Sequence, residues 1–135
     1  MLHAILAILA AGVAGWIFGA IWYGVLSKPY QRALGLNPDD CKDKKMPLLP
    51  MLASFVAALV MSAVLYQLLV NLGVLGVWPA MVAGFTVGVG FVLTSVVVNN
   101  LFQQKSFVLT IIDGGHWVLA LVVEAAVISA MVRTA

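Results

Sequence analysis

The sequence predicts an all-α integral membrane protein in which four transmembrane helices form an antiparallel bundle. Two observations support that fold class. Apolar residues make up 64% of the 135-residue chain and charged residues only 9%, whereas charged residues are about a quarter of an ordinary soluble domain. The apolar residues also gather into four runs, each long enough to cross a hydrocarbon core of about 30 Å as a helix. We therefore expect a single membrane domain over residues 1–135.

The four expected spans cover residues 2–26, 48–72, 77–102 and 107–132. They must be helical, because backbone amides inside lipid have to pair within their own segment. The first run lacks a basic leader and is longer than the roughly 7–15 residues of a signal-peptide core, so we interpret it as a retained helix. The connections after the second and third spans are only a few residues long, which forces neighbouring helices to be antiparallel.

Lysine and arginine are distributed unevenly between the two sides of the expected bundle. Five of the seven lie in the loop 27–47 and Lys105 lies in the third connection, whereas only Arg133 falls on the opposite side. Cytoplasmic connections of membrane proteins carry the excess of these residues. We therefore expect the loop 27–47 in the cytoplasm and both termini outside. Because the positive charge belongs mainly to one loop, nucleic-acid binding has no support.

The cytoplasmic loop contains a pattern typical of a helix start. Asn37-Pro38-Asp39-Asp40 combines a capping residue, a proline at the first helical position and acids in the first turn. Three lysines follow, at the end of the expected helix whose dipole favours positive charge: Lys42, Lys44 and Lys45. The pattern predicts a short cytoplasmic helix. Its lysines form either a solvated charge cluster or a contact with anionic lipid headgroups.

Two stretches of the chain resemble a known family. The first is Gly19-Ala20-Ile21-Trp22-Tyr23-Gly24, followed by Leu26, Lys28 and Gly35. The second runs from Asn99 to Phe102 and continues through Lys105 to Ile111-Ile112-Asp113-Gly114-Gly115-His116. Together they resemble the bacterial membrane proteins of domain of unknown function 1761 (DUF1761), over nearly the whole chain. The resemblance implies a four-helix, multi-pass protein of the bacterial inner membrane, and it implies no established activity.

Three ionisable residues lie on one stripe of the fourth span. Asp113, His116 and Glu124 share a helix face at about 100° per residue, and ionisable groups inside a membrane indicate function by default. At a rise of 1.5 Å per residue, Glu124 lies about 12 Å from His116 and about 16 Å from Asp113 along the axis. These three residues therefore form two separate polar levels and cannot share one metal ion, so we expect no metal site.

The deeper level centres on Glu124. We place Ser62, Tyr66 and Thr86 at similar depth on the second and third spans. A hydrogen-bonded, protonated carboxyl suits this setting. Glu124 is then either a carboxyl that couples transport to a proton or cation, or a buried acid that holds helices together through hydrogen bonds.

The shallower level contains Asp113 and His116, with Tyr23 and Asn99 expected nearby. One interpretation is a polar pocket open to the cytoplasm, in which His116 accepts a proton or binds a cation. The alternative for His116 is an interhelical hydrogen bond. The alternative for Asp113 is a capping box formed with Thr110 at a helix start, and Asn99 is either a substrate contact or an interfacial group at a helix end.

Glycines separated by four residues occur in the first and third spans. Gly15 and Gly19 match Gly84 and Gly88 within a weak sequence repeat, and such pairs permit close contact between membrane helices. The match is either a true repeat, which predicts two parallel helical hairpins, or a coincidence, since Gly and Val are common in membrane helices. The glycines serve either the internal bundle or a homo-oligomer, and the sequence leaves both open.

No sequence motif points to an enzyme: we find no phosphate-binding glycine loop, nucleophile triad or zinc-protease motif. We therefore assign no catalytic residue and expect no cofactor. The leading hypothesis is a homo-oligomeric membrane protein that binds or transports a proton, a cation or a small solute. The competing hypothesis is a non-transporting structural or accessory membrane subunit, and a membrane-embedded enzyme ranks third.

Overall fold

Four long apolar helices dominate the computed structural model, which describes residues 1–41, 47–74 and 76–133. Their lengths and compositions suffice to cross a membrane, and their bounds agree with the expected spans to within a residue or two. Lys42, Lys44 and Lys45 lie outside the described residues. In chain order the elements are α1 (Leu2–Val25), α2 (Ser27–Ala33), a 3-10 turn (Pro38–Cys41), α3 (Leu48–Asn71), α4 (Val77–Val87), a π-helical segment (Gly88–Leu93), α5 (Thr94–Phe102) and α6 (Phe107–Arg133).

The first long helix is followed at once by a second, short helix, in residues that were expected to be loop. Pro29 explains the break between them. Its ring cannot donate to the carbonyl of Val25 and would clash with it in a continuous helix, so α1 ends there and the chain bends at Leu26. Proline is tolerated in the first turn of a helix, and α2 therefore begins at Ser27.

The described part of the short helix predicted at Asn37 is a 3-10 turn over Pro38–Cys41. The expected cap is present, since the backbone N–H of Asp39 donates to Asn37 Oδ1 at 3.3 Å. This turn is separated from α2 by Gly35, which adopts a left-handed backbone conformation with φ of 76°. Gly35 N–H donates to the Arg32 carbonyl and Leu36 N–H to the Gln31 carbonyl, the two bonds that commonly end a helix at a glycine.

The last helix, α6, is the centre of the bundle. It packs against α1 and α3 on one side and against the third span, formed by α4, the π-helical segment and α5, on the other. It is also the most buried of the four long helices. The second and third spans contact each other only slightly, so the two hairpins are joined mainly through α6. The buried apolar cluster contains Ala11, Leu65, Leu69, Ala80, Leu121, Ala125 and Ile128.

Gly84 and Gly88 allow the third span to lie directly on the backbone of α6. A Cβ added at Gly84 would lie 2.6 Å from the Leu121 carbonyl oxygen, and one added at Gly88 would lie 2.9 Å from Val118 Cα. Both distances are too short for real contacts with backbone atoms. These two glycines therefore serve the internal bundle.

Candidate functional site

A cleft of about 350 Å³ lies among α1, α3 and α6. Its walls are largely apolar and aromatic, and its volume is at the lower end of the range for small-molecule sites, about 300–1,000 Å³. Tyr30 of α2 and Pro47 and Pro50 at the start of α3 mark one end of the cleft, and Glu124 lines it deeper in the bundle. The complete lining is Gly15, Trp16, Gly19, Ala20, Tyr23, Tyr30, Pro47, Pro50, Met51, Ser54, Ala58, His116, Trp117, Ala120 and Glu124.

Glu124 is almost completely buried, with 1% of its surface exposed. It lies against Gly15 of α1, where an added Cβ would come within 2.9 Å of Glu124 Cγ and closer still to Oε1. The missing side chain at Gly15 is thus what makes room for the carboxyl group. Glu124 Oε2 is buried and has no hydrogen-bond partner among the described residues, which is uncommon for a buried oxygen.

His116 lies about one turn before Ala120 on the same stripe of α6, within a group of aromatic rings. Its ring centroid lies 4.9 Å from that of Tyr23 and 4.7 Å from that of Trp117. Gly19 makes room for it, because an added Cβ would lie 2.6 Å from His116 Nε2. His116 is 7% exposed, and its Nδ1 is buried without a hydrogen-bond partner in the described part of the chain.

Asp113 lies behind the cleft and fixes one of its walls. The Tyr23 hydroxyl donates to Asp113 Oδ1 at 2.7 Å, and the Tyr23 ring makes an edge contact with Tyr30 at a centroid distance of 5.1 Å. Burial, with a smaller contribution from the Asp113 carboxylate, raises the pKa of the Tyr30 phenol. Asp113 therefore positions an aromatic wall of the cleft and is not itself part of the lining.

The polar groups of the remaining walls are largely used within the protein. Trp16 Nε1–H donates to Ser54 Oγ at 3.1 Å, and the Ser54 hydroxyl donates to the Met51 carbonyl at 2.8 Å. The described lining includes no lysine and no arginine. The cleft thus presents aromatic faces, one imidazole and one carboxyl group.

The structure brings together only part of the set predicted from sequence. Tyr23, His116 and Glu124 line the cleft, whereas Tyr66 packs against the apolar cluster. Ser62, expected near Glu124, is buried and donates to the Ile8 carbonyl at 3.0 Å.

Two expected neighbours lie on the outer surface of the third span. Thr86 is exposed and its hydroxyl donates to the Val82 carbonyl of its own helix at 2.8 Å. Asn99 is also exposed. A hydroxyl in a helix can be satisfied by the carbonyl four residues earlier, so a polar residue in a span does not have to face the interior.

The capping-box alternative for Asp113 is wrong, because α6 begins six residues earlier, at Phe107. The cap is Ser106, whose Oγ accepts from the Leu109 N–H at 3.2 Å and lies 3.3 Å from the Ala33 carbonyl, to which the hydroxyl donates. The second of these bonds ties the end of α2 to the start of α6, so the first and third connections meet at one end of the bundle.

Comparison with known proteins identifies a family. The model of the family described as "Protein of unknown function (DUF1761)" matches residues 6–129, nearly the whole chain. The chain belongs to this family. No curated protein and no solved structure matches it.

Sequence reasoning about this DUF1761 protein missed the aromatic lining of the cleft. Trp16 and Trp117 were assigned no role from the sequence, yet both line the cleft together with Glu124 and His116. A sequence signal was present, since Trp16 is next to Gly15 and Trp117 is next to His116. The signal could be interpreted only once α1 was known to pack on α6.

The chemistry open to the DUF1761 cleft follows from these groups. A carboxyl oxygen and an imidazole nitrogen, both buried and without partners among the described residues, can accept hydrogen bonds or exchange protons. No group of three or more His, Cys, Asp or Glu side chains able to hold a metal ion occurs in the described part of the protein. The arrangement suits binding and proton exchange.

Proposed function

We propose that this protein binds a small solute or cation in the cleft and moves it across the membrane, with Glu124 as the coupling carboxyl. The proposal rests on one observation: the two polar levels open into the same cleft. His116 and Glu124 are about 12 Å apart along α6, yet both line one cleft. A solute in that cleft can reach both.

The two unpartnered atoms favour binding over a purely structural role. Leaving a buried polar atom without a hydrogen bond costs about 1–3 kcal/mol, so a helix-stabilising Glu or His would be expected to be fully paired. Glu124 Oε2 and His116 Nδ1 are not paired within the described residues. A ligand that donates hydrogen bonds or carries positive charge would satisfy them.

The proposal places the cleft mouth in the cytoplasm and a homo-oligomer as the working form. The orientation rests on the lysines and arginines of the first and third connections, which meet at the end of the bundle where Tyr30 and Pro47 line the cleft. All four packing glycines contact α6 of the same chain, so they offer no support for the oligomer. That part of the proposal depends on other surfaces.

Accessibility of the cleft can be tested with cysteine substitutions in a Cys41→Ser background. Ser54→Cys changes a cleft residue, and Ser95→Cys is the matched control on the exposed surface of the third span. A membrane-impermeant thiosulfonate reacts with thiolates, which form in water and not in lipid. We expect labelling of Ser54→Cys from the cytoplasmic side only. Labelling from the outer side would contradict the orientation, and no labelling would contradict an open cleft.

Transport can be tested in liposomes loaded with a pH-sensitive dye. Three probes of similar size cover the charge classes: benzyltrimethylammonium, benzyl alcohol and benzenesulfonate. We expect at least one probe to drive proton movement above the protein-free level, Glu124→Gln to abolish it, and the control Thr86→Val to retain it. If no probe drives flux through a folded protein, or if Glu124→Gln retains wild-type flux, the structural or accessory role is the better interpretation.

A further inference from the structure

The lining of the cleft discriminates among possible solutes by charge. Its described residues include no lysine or arginine, and its deepest polar group is the Glu124 carboxyl. An anionic solute would meet a carboxyl group and find no lysine or arginine to pair with, which is unfavourable at low dielectric. A cationic solute would find the counter-charge that it needs.

The hydrogen-bonding capacity of the walls points the same way. Three donors near the cleft are already used: Trp16 Nε1–H binds Ser54, Trp22 Nε1–H binds the Ile112 carbonyl at 3.0 Å, and the Tyr23 hydroxyl binds Asp113. What remains on the Glu124 side is a buried acceptor, Oε2. The Glu124 end of the cleft therefore offers a buried acceptor to a solute that can donate a hydrogen bond.

Aromatic residues supply the rest of the wall. Trp16, Tyr23, Tyr30 and Trp117 all line the cleft. The negative faces of such rings attract cations, most strongly with Trp, and several rings together recognise quaternary ammonium groups. Four aromatic side chains and one buried carboxyl are the combination expected of a site for an organic cation.

We propose, resting on the solute-binding function above, that the cleft takes a small organic cation, an amine or quaternary ammonium group on an apolar body. The cleft volume of about 350 Å³ limits the solute to the small end of drug-like molecules. The cationic head lies at Glu124 and among the aromatic rings, and the apolar body lies along the wall formed by Met51 and Ala58.

Calorimetry on the full chain in lipid nanodiscs tests the charge class with the same three probes. We expect benzyltrimethylammonium to bind at least about 10-fold more tightly than benzyl alcohol, and benzenesulfonate not to bind. Glu124→Gln should weaken the cation by about 10-fold or more and leave the neutral probe within about 2-fold, because the lost interaction is one of charge. Phenethylamine then separates a protonated amine from a quaternary one.

A second pair of variants tests the aromatic walls without touching the carboxyl. Trp117→Leu keeps an apolar side chain in the cleft and removes the ring face, and Trp78→Leu is the matched control because Trp78 is 72% exposed and outside the cleft. Loss of a cation–π contact corresponds to about 2- to 30-fold in affinity. We expect Trp117→Leu, and not Trp78→Leu, to weaken binding of the cation by this factor. The affinity for the neutral probe should change little in either variant.

The outcomes separate the two proposals. Equal binding of the alcohol and the cation, tighter binding of the sulfonate, or equal effects of Glu124→Gln on both probes would overturn the organic-cation assignment and leave a solute site. Absence of binding by every probe, with Ser54→Cys unlabelled, would overturn the solute site as well. Absence of binding by every probe with Ser54→Cys labelled would overturn the cation assignment and leave an open cleft whose transport role is judged by the flux assay.

Discussion

Gly84→Ala should destabilise the bundle because the added methyl group meets backbone and not a movable side chain. The new Cβ would lie 2.6 Å from the Leu121 carbonyl oxygen and 3.0 Å from Ala125 Cβ, whereas ordinary contacts begin at about 3.4 Å. The third span and α6 must therefore move apart by several tenths of an ångström along their closest contact. Overpacking of this kind costs about 1–3 kcal/mol.

A matched control exists on the same span. Nothing lies within 4 Å of a Cβ added at Gly90, so Gly90→Ala receives the helix-propensity gain of up to about 1 kcal/mol without a clash. Gly84→Ala receives the same gain, which leaves a net loss of up to about 2 kcal/mol. The two substitutions should therefore change the free energy of unfolding in opposite directions.

The assay is reversible unfolding of purified protein in mixed micelles of increasing SDS fraction, followed by circular dichroism. Gly84→Ala should unfold at lower SDS fraction than the wild type, and Gly90→Ala at an equal or higher one. Equal stability of Gly84→Ala and Gly90→Ala would mean that the third span does not rest on Leu121, and the packing described above would have to be abandoned.

Three further substitutions test local features with the same unfolding assay. Ser106→Ala removes the acceptor of the Leu109 N–H and should cost about 0.5–2 kcal/mol; no change would argue against the cap. Tyr23→Phe removes the hydrogen bond to Asp113 and should cost about 1–2 kcal/mol, with a smaller effect in an Asp113→Asn background if the pair is real. Gln104 has φ of 55°, a left-handed conformation that glycine adopts without penalty, so Gln104→Gly should stabilise the protein by about 0.5–1 kcal/mol, and destabilisation would refute that backbone geometry.

The sequence was sufficient for the long helices because one requirement dominates there. A run of about 20 apolar residues has few alternatives to a membrane-spanning helix, and the four spans are present with the expected bounds. The short helix α2 could not be predicted in the same way. It forms because Pro29 ends one helix and is tolerated near the start of the next. Hydropathy does not detect either effect of the proline.

The candidate site was only partly predictable for a different reason. Periodicity places Asp113, His116 and Glu124 on one face of α6, but it does not say which helix lies opposite that face. Thr86 and Asn99 were expected beside the stripe on depth alone, and both are exposed. Depth fixes one coordinate of a side chain in a bundle, and the direction it faces depends on the order in which the helices pack.

The two glycine pairs explain why the cleft lies on one side of α6 and not the other. Gly84 and Gly88 meet the backbone of α6 near Leu121 and Val118, so that side is closed by direct helix contact. Gly15 and Gly19 instead meet side chains, those of Glu124 and His116.

At 100° per residue, the face of α6 that carries Glu124 and His116 is roughly 120° from the face that carries Leu121 and Val118. Each glycine pair therefore packs against a different face of α6. The same spacing thus has two different consequences. Where α6 presents small or apolar residues, a glycine pair brings the helices together and excludes other molecules. Where α6 presents large polar side chains, a glycine pair accommodates them beneath α1, and α1, α3 and α6 then surround a space that is not filled. The cleft is therefore a direct result of placing Glu124 and His116 opposite glycines, and replacing Gly15 by a larger residue should affect solute binding before it affects the packing of the third span.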